Sequence, residues 1–119
     1  VMGRGVALEA ARRFPELPRL LGRLVKSRGI VPFVFPRRRL FTLPVKHRWM
    51  ERADLMLIER ELAWLAAYVD RELGRGFRPN VLPICLVRPG CGNGGLRWED
   101  VRPVIAPLLD DRFLVVERA

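Results

Sequence analysis

The chain is short of several things on which proteins build function. It holds two cysteines, Cys85 and Cys91, in 119 residues. Two thiols cannot alone make a four-ligand zinc site, and they make no disulfide framework. That scarcity predicts a reducing, cytoplasmic setting; no resident metal or cofactor is expected. No stretch approaches the ~20 apolar residues of a membrane span, so no membrane partner is expected. No charged-then-apolar leader opens the chain. No repeat and no low-complexity linker interrupts it. No Gly-Lys-Ser/Thr follows its glycines, which excludes a P-loop. Lysine is nearly missing: of 22 cations only Lys26 and Lys46 are lysine. Acids are also few, 13 against those 22 cations, leaving a net charge of +9. Such a field draws in polyanions such as nucleic acid, nucleotides and phosphates.

Half of the residues are apolar and 29% are charged. That is enough for the core of one domain, expected over residues 1–119, and it excludes a disordered tail. The chain opens on Val1. The run Val1-Met2-Gly3 reads as the middle of an element, so residues are expected before it; the alternative is an initiating valine codon read literally.

Apolar periodicity gives the elements. Val6 to Arg13 reads as a short helix with Val6, Ala7, Ala10 and Phe14 on one side, broken by Pro15. Leu17 to Ser27 reads as a second helix. Pro18 suits its first turn, Leu20, Leu21, Leu24 and Val25 form its stripe, and Gly29 stops it. Ile30 to Phe35 is extended, and its prolines place it at a sheet edge. Arg37 to Arg39 turns the chain into a second strand, Leu40 to Val45. Asp54 to Leu73 is the clearest helix, with Leu55, Ile58, Leu62, Leu65, Val69 and Leu73 at spacings of three and four. Trp64 and Tyr68 widen that stripe, and Gly74 and Gly76 end it. Val81 to Val87 is apolar without alternation, the pattern of a strand covered on both faces, which puts Cys85 against a core. Trp98 to Leu109 reads as a helix that Pro107 shortens or bends, and Phe113 to Glu117 as a last strand. The last two strands bracket a helix, so the class is α/β with a mixed or parallel sheet.

Three segments could carry chemistry. Arg88-Pro89-Gly90-Cys91-Gly92-Asn93-Gly94-Gly95 joins a strand end to a helix start. At such a point backbone N–H groups and a helix N-terminus converge on an anion. The other reading is a tight turn. Cys91 serves packing there rather than attack. Met2-Gly3-Arg4-Gly5 places glycines at the first helix start, as a ligand contact or as mere entry geometry. In Leu43-Pro44-Val45-Lys46-His47-Arg48-Trp49, Lys46 stands at a strand's carboxyl end. Unlike arginine, a lysine that loses its proton can act as an amine nucleophile. The other reading is a solvated strand-end lysine. His47 reads as a surface or packing residue, Trp49 as a packing lid, and Arg37 to Arg39 as a solvated hairpin tip or a grip on a nucleic-acid backbone.

Taken together and in this order, the segments resemble the macrodomain family, the ADP-ribose-binding fold. Met2-Gly3-Arg4-Gly5-Val6-Ala7 followed by Phe14-Pro15 resembles the family's MG(K/R)G(I/V)A…FP segment. Leu43 to Trp49 resembles its (F/L)PTK-x-HW segment. Arg88 to Glu99 resembles P-x-GCG-x-GGL-x-WE, the second phosphate loop. The likeness is to the branch of terminal ADP-ribose glycohydrolases and DNA ADP-ribosyl glycohydrolase antitoxins. It implies a three-layer α/β/α sandwich around a mixed sheet. It implies ADP-ribose as ligand, with the distal ribose held by Met2, Gly3, Arg4 and Gly5. Pro44 and Val45 would flank the ligand, and Pro89, Gly90, Cys91, Gly92, Asn93 and Gly94 would hold the diphosphate. Lys46 would be the catalytic residue at C1″ of the distal ribose. The activity implied is removal of ADP-ribose from a nucleic-acid base or a protein side chain. The alternative is a non-catalytic ADP-ribose reader, or an inactive truncated remnant. Implied partners are an ADP-ribosylated substrate, DNA and a cognate ADP-ribosyltransferase toxin. The sequence departs from the family at Gly94, where some relatives carry an acid, and at Arg97, where they usually carry Asp. The family's first two strands do not precede Met2. Their absence implies an N-terminally truncated domain, with a slot between Val81–Val87 and Leu40–Val45.

Overall fold

The computed structural model describes residues 5–48, 50–74 and 83–117. Helix α1 (Gly5–Arg13) and helix α2 (Leu17–Arg28) come first. Proline in the first turn starts α2, and Gly29 ends it at φ +85°, its N–H donating back to the Val25 carbonyl. A side chain there would be strained, which is why the stop is a glycine. Strand β1 (Phe33–Phe35) pairs antiparallel with strand β2 (Leu40–Thr42). The turn between them is a short 3-10 segment, Pro36–Arg38, closed by Arg39 in the left-handed region. Strand periodicity divides this hairpin between two cores. Phe33, Phe35 and Leu40 pack with Leu17, Phe14, Leu20, Leu21, Leu24 and Val25 of the two helices. Phe41, Leu43 and Val45 face the larger core. Of the residues expected inside on α1, Ala10 and Phe14 pack there, but Ala7 is exposed.

The larger core is organised by helix α3 (Leu55–Leu73). Asp54 is its N-cap, accepting from the amides of Met56 at 3.0 Å and Leu57 at 3.4 Å. Ile58, Leu62, Leu65 and Val69 are almost wholly buried. Leu57 and Glu61 also lie inside, one edge beyond the expected stripe, while Leu73 is exposed. Burying the Glu61 carboxylate needs a partner, and Arg60 reaches it at 3.1 Å. Strand β3 (Ile84–Val87) pairs parallel with strand β4 (Phe113–Val116), bracketing helix α4 (Trp98–Ile105). A 3-10 turn at Ala106–Leu108 replaces the last turn of that helix at Pro107. Arg112 ties α3 to β4. Its guanidinium donates to the Gly74 carbonyl at 2.7 Å, to Asp70 at 2.6 Å and to Asp110 at 2.7 Å.

The α/β class therefore holds, with both strand directions present. Among the described residues the strands pair as two separate two-stranded sheets, and β2 and β3 share no ladder. One expectation is overturned. On β3 only Leu86 is buried, and Cys85 and Val87 are exposed. They share an open face with Leu114 and Val116 of β4, also exposed. The core covers one side of this parallel pair only, and alternation then sends Cys85 outward. An unbroken apolar run does not distinguish one covered face from two.

Candidate functional site

The strand β3 ends at Val87 and the chain turns at once through Pro89 and Gly90. Gly90 is buried at φ +75°. Its carbonyl accepts from Leu96 N at 3.0 Å, so the loop closes on itself and Cys91 bridges Leu96. Between these anchors Gly92–Gly94 make one 3-10 turn, with Gly95 N donating to the Gly92 carbonyl at 3.0 Å. The amides of Gly92 and Asn93 open that turn, and an i→i+3 turn offers them no internal acceptor. Both residues are exposed. The leading amides of this turn thus belong to exposed residues at the carboxyl end of a strand.

The loop is held by the segment that starts α3. Ala53 N donates to the Gly94 carbonyl at 2.8 Å. Arg52 clasps the Gly95 carbonyl through Nε at 3.2 Å and Nη2 at 2.9 Å. A Cβ on Gly94 would stand 2.9 Å from Ala53 Cβ, so the two backbones meet where only glycine fits. Asp54 N in turn donates to the Val45 carbonyl at 2.8 Å. This bond pins the end of the β2 segment, and the next residue is Lys46.

Lys46 Nζ lies 3.3 Å from the carbonyl oxygen of Asn93, 47 residues away in sequence. The lysine and the glycine loop are therefore brought together. His47 Nε2 and Asp54 Oδ2 stand 2.8 Å apart, both at the surface. The His47 hydrogen bond, with the Leu57 and Met56 amides, holds the Asp54 carboxyl below its ordinary value. Burial pushes the Cys91 thiol up against a smaller opposing pull from Arg88. A thiol so placed is a poor thiolate nucleophile, which suits a packing role. Arg88 stacks over the Trp98 ring at 5.0 Å. Pro44 and Val45 are half-buried beside Lys46, and Val45 packs on the large core.

Of the other expected site residues, Gly5 is the first residue of α1. Met2, Gly3, Arg4 and Trp49 lie outside the described residues. The Arg37–Arg39 turn stands at the other end of strand β2 from Lys46. Asp54, Ala53 and Arg52 were not among the expected site residues. The signal available for them was Asp54 just ahead of an apolar-periodic run, the mark of an N-cap. Among the described residues no group of three His, Cys, Asp or Glu could hold a metal ion.

A parallel strand pair, a glycine turn at its carboxyl end, and a lysine-bearing strand end clasped to that turn define the class. The chain has the macrodomain fold, and solved macrodomains superpose on it. Its likeness lies with DarG proteins. It is 33% identical over 111 residues to the DNA ADP-ribosyl glycohydrolase of Mycobacterium tuberculosis, covering 85% of this chain and 29% of that protein. It is likewise 33% identical over 122 residues to that of Thermus aquaticus, covering 92% of this chain and 31% of the other. The solved macrodomain of Mycobacterium tuberculosis DarG matches with a TM-score of 0.73 at 28% identity, over 98% of this chain and 80% of that one. No family model matches. The chain thus spans about three tenths of the curated relatives it resembles.

Proposed function

We propose that this macrodomain binds ADP-ribose and removes it from an ADP-ribosylated DNA base. The observation that carries the reading is the 3.3 Å approach of Lys46 Nζ to the Asn93 carbonyl. It puts the amine at the rim of a glycine loop whose leading amides suit a diphosphate. The Gly92 and Asn93 N–H groups would take the phosphate oxygens. Hydrogen bonds to a charged acceptor contribute about 1.5–3 kcal/mol each. Gly90 and Gly94 let the backbone approach its supports so closely that the turn is held rigid. With the diphosphate there, the distal ribose would extend toward Lys46. Lys46 would bond through its nitrogen to C1″ as the C1″–base bond breaks, its ammonium proton passing to the departing base; water would then displace the lysine at C1″ and release ADP-ribose. The DNA acceptor follows from the relatives' stated activity and from the +9 charge. A cognate ADP-ribosyltransferase is the partner this reading implies, since such an enzyme makes the linkage that is cleaved.

The test is release of ADP-ribose from an ADP-ribosylated oligonucleotide under single-turnover conditions. Lys46→Ala is expected to lower the rate at least a hundredfold while calorimetry shows ADP-ribose binding within a few-fold of the parent. Undiminished release would remove Lys46 from the mechanism. ADP-ribose binding without release by the parent would leave a reader, the reading favoured by the absence of an acid at Gly94.

A further inference from the structure

The positive charge is not spread over the molecule. Residues 1–40 carry ten cations and two acids; residues 41–119 carry twelve and eleven. Nearly all of the net charge therefore belongs to the lobe built from α1, α2 and the β1–β2 hairpin around its own small core. Two carboxylates cannot pair ten cations, and Glu16 is already taken up by Arg38, with Nε at 2.9 Å. On α2 the apolar stripe Leu20, Leu21, Leu24 and Val25 turns inward. Arg19, Arg23 and Lys26 stand exposed at i, i+4 and i+7 on the other side. That spacing lays three cations in a row about 10 Å long. Arg19 and Arg23 also line an open groove of about 570 Å³ with Pro15, Glu16 and Leu20. Arg37 and Arg39 continue the exposed cations at the hairpin turn.

We infer that this lobe is a docking surface for the phosphate backbone of a nucleic-acid strand. The inference rests on the reading that the substrate is DNA, and it says which surface holds the strand beside the scissile linkage. A row of cations in a lobe whose two acids are too few to neutralise it is the electrostatic footprint of such contacts. A membrane surface is disfavoured, because interfacial helices insert apolar side chains. Here, from Leu17 to Thr42, Val31 is the one large apolar side chain that is exposed. Strand β2 leaves this lobe and Lys46 follows its end within four residues, so a DNA strand held on the lobe can reach the candidate site.

The test uses an unmodified single-stranded DNA oligonucleotide, with anisotropy read across a salt series. The parent is expected to bind with log K falling linearly against log salt. The variant R19Q/R23Q/K26Q keeps the helix-forming tendency of α2. It is expected to lose at least tenfold in affinity at low salt, with the slope flattened by about 2, at ~0.7 per lost phosphate contact. R71Q/R102Q, on exposed positions of α3 and α4, is expected to stay within twofold. Calorimetry with ADP-ribose runs in parallel and should be unaffected by either variant. Equal weakening by both variants, no weakening by the first, or binding to phosphatidylserine vesicles but not to DNA would overturn the inference. ADP-ribose failing to bind while the DNA result holds would overturn the proposed activity instead.

Discussion

A Cβ placed on Gly90 would lie 2.6 Å from Ile58 Cδ1 and 2.8 Å from Leu96 Cδ1, at a backbone φ of +75°. Both the overpacking and the left-handed strain then oppose any side chain. Gly90→Ala is expected to cost about 2 to 4 kcal/mol of stability by urea unfolding. The His47–Asp54 pair offers a second residue-scale test. Asp54→Ala removes both a helix cap and the partner of His47, so its melting temperature should fall. Asp54→Asn, which caps about as well, should recover most of that loss. Little of this was legible beforehand. Lys46 could be singled out as a rare lysine at a strand end, but its meeting with Asn93 joins residues far apart in the chain. No local pattern encodes such a contact. Of the two readings of His47, surface or packing residue, the structure shows the surface one; its bond to Asp54 follows from the loop that Val45 and Asp54 close.

Helix α3 is the element on which the site is mounted. The residues just ahead of its N-cap, Arg52 and Ala53, hold the glycine loop, and its buried Ile58 fills the space behind Gly90. The two positions should therefore be coupled. Ile58→Ala alone is expected to cost about 2–5 kcal/mol as a cavity. Combined with Gly90→Ala it should cost less than the sum, because the cavity receives the new methyl group; a double-mutant cycle measures this. At the other end of α3, Arg112 bridges the helix terminus to β4. Its side chain is 12% exposed. Arg112→Ala is expected to destabilise by about 2 kcal/mol. The helices were well forecast because each has a strong 3.6-residue stripe and a proline or glycine at its ends. The strands were forecast too long, since apolar runs continue past the last ladder bond. The covering of β3 was misjudged for a related reason. Composition shows that a strand is apolar, whereas neighbours elsewhere in the chain decide which of its faces is covered, and Cys85 lies on the open one.

At the scale of the whole molecule, two cores meet at the β1–β2 hairpin and the charge is gathered on one of them. Three carboxyls, Glu16, Asp54 and Asp110, sit below their ordinary values in the folded chain. For Asp54 and Asp110 the leading cause is a side-chain partner, His47 and Arg112; for Glu16 it is its own backbone amide, then Arg38. Around pH 4 the folded chain therefore binds fewer protons than the unfolded one, so stability rises with pH there. Melting temperature should be steady above about pH 5 and fall as acid protonates these groups. The two-dimensional amide spectrum of this chain, titrated with ADP-ribose, tests the central claim most directly. The Gly92 and Asn93 amide resonances are expected to move strongly and in step, with Lys46 following, at a single saturating affinity. Shifts confined to other parts of the molecule, with these three unmoved at saturation, would contradict it.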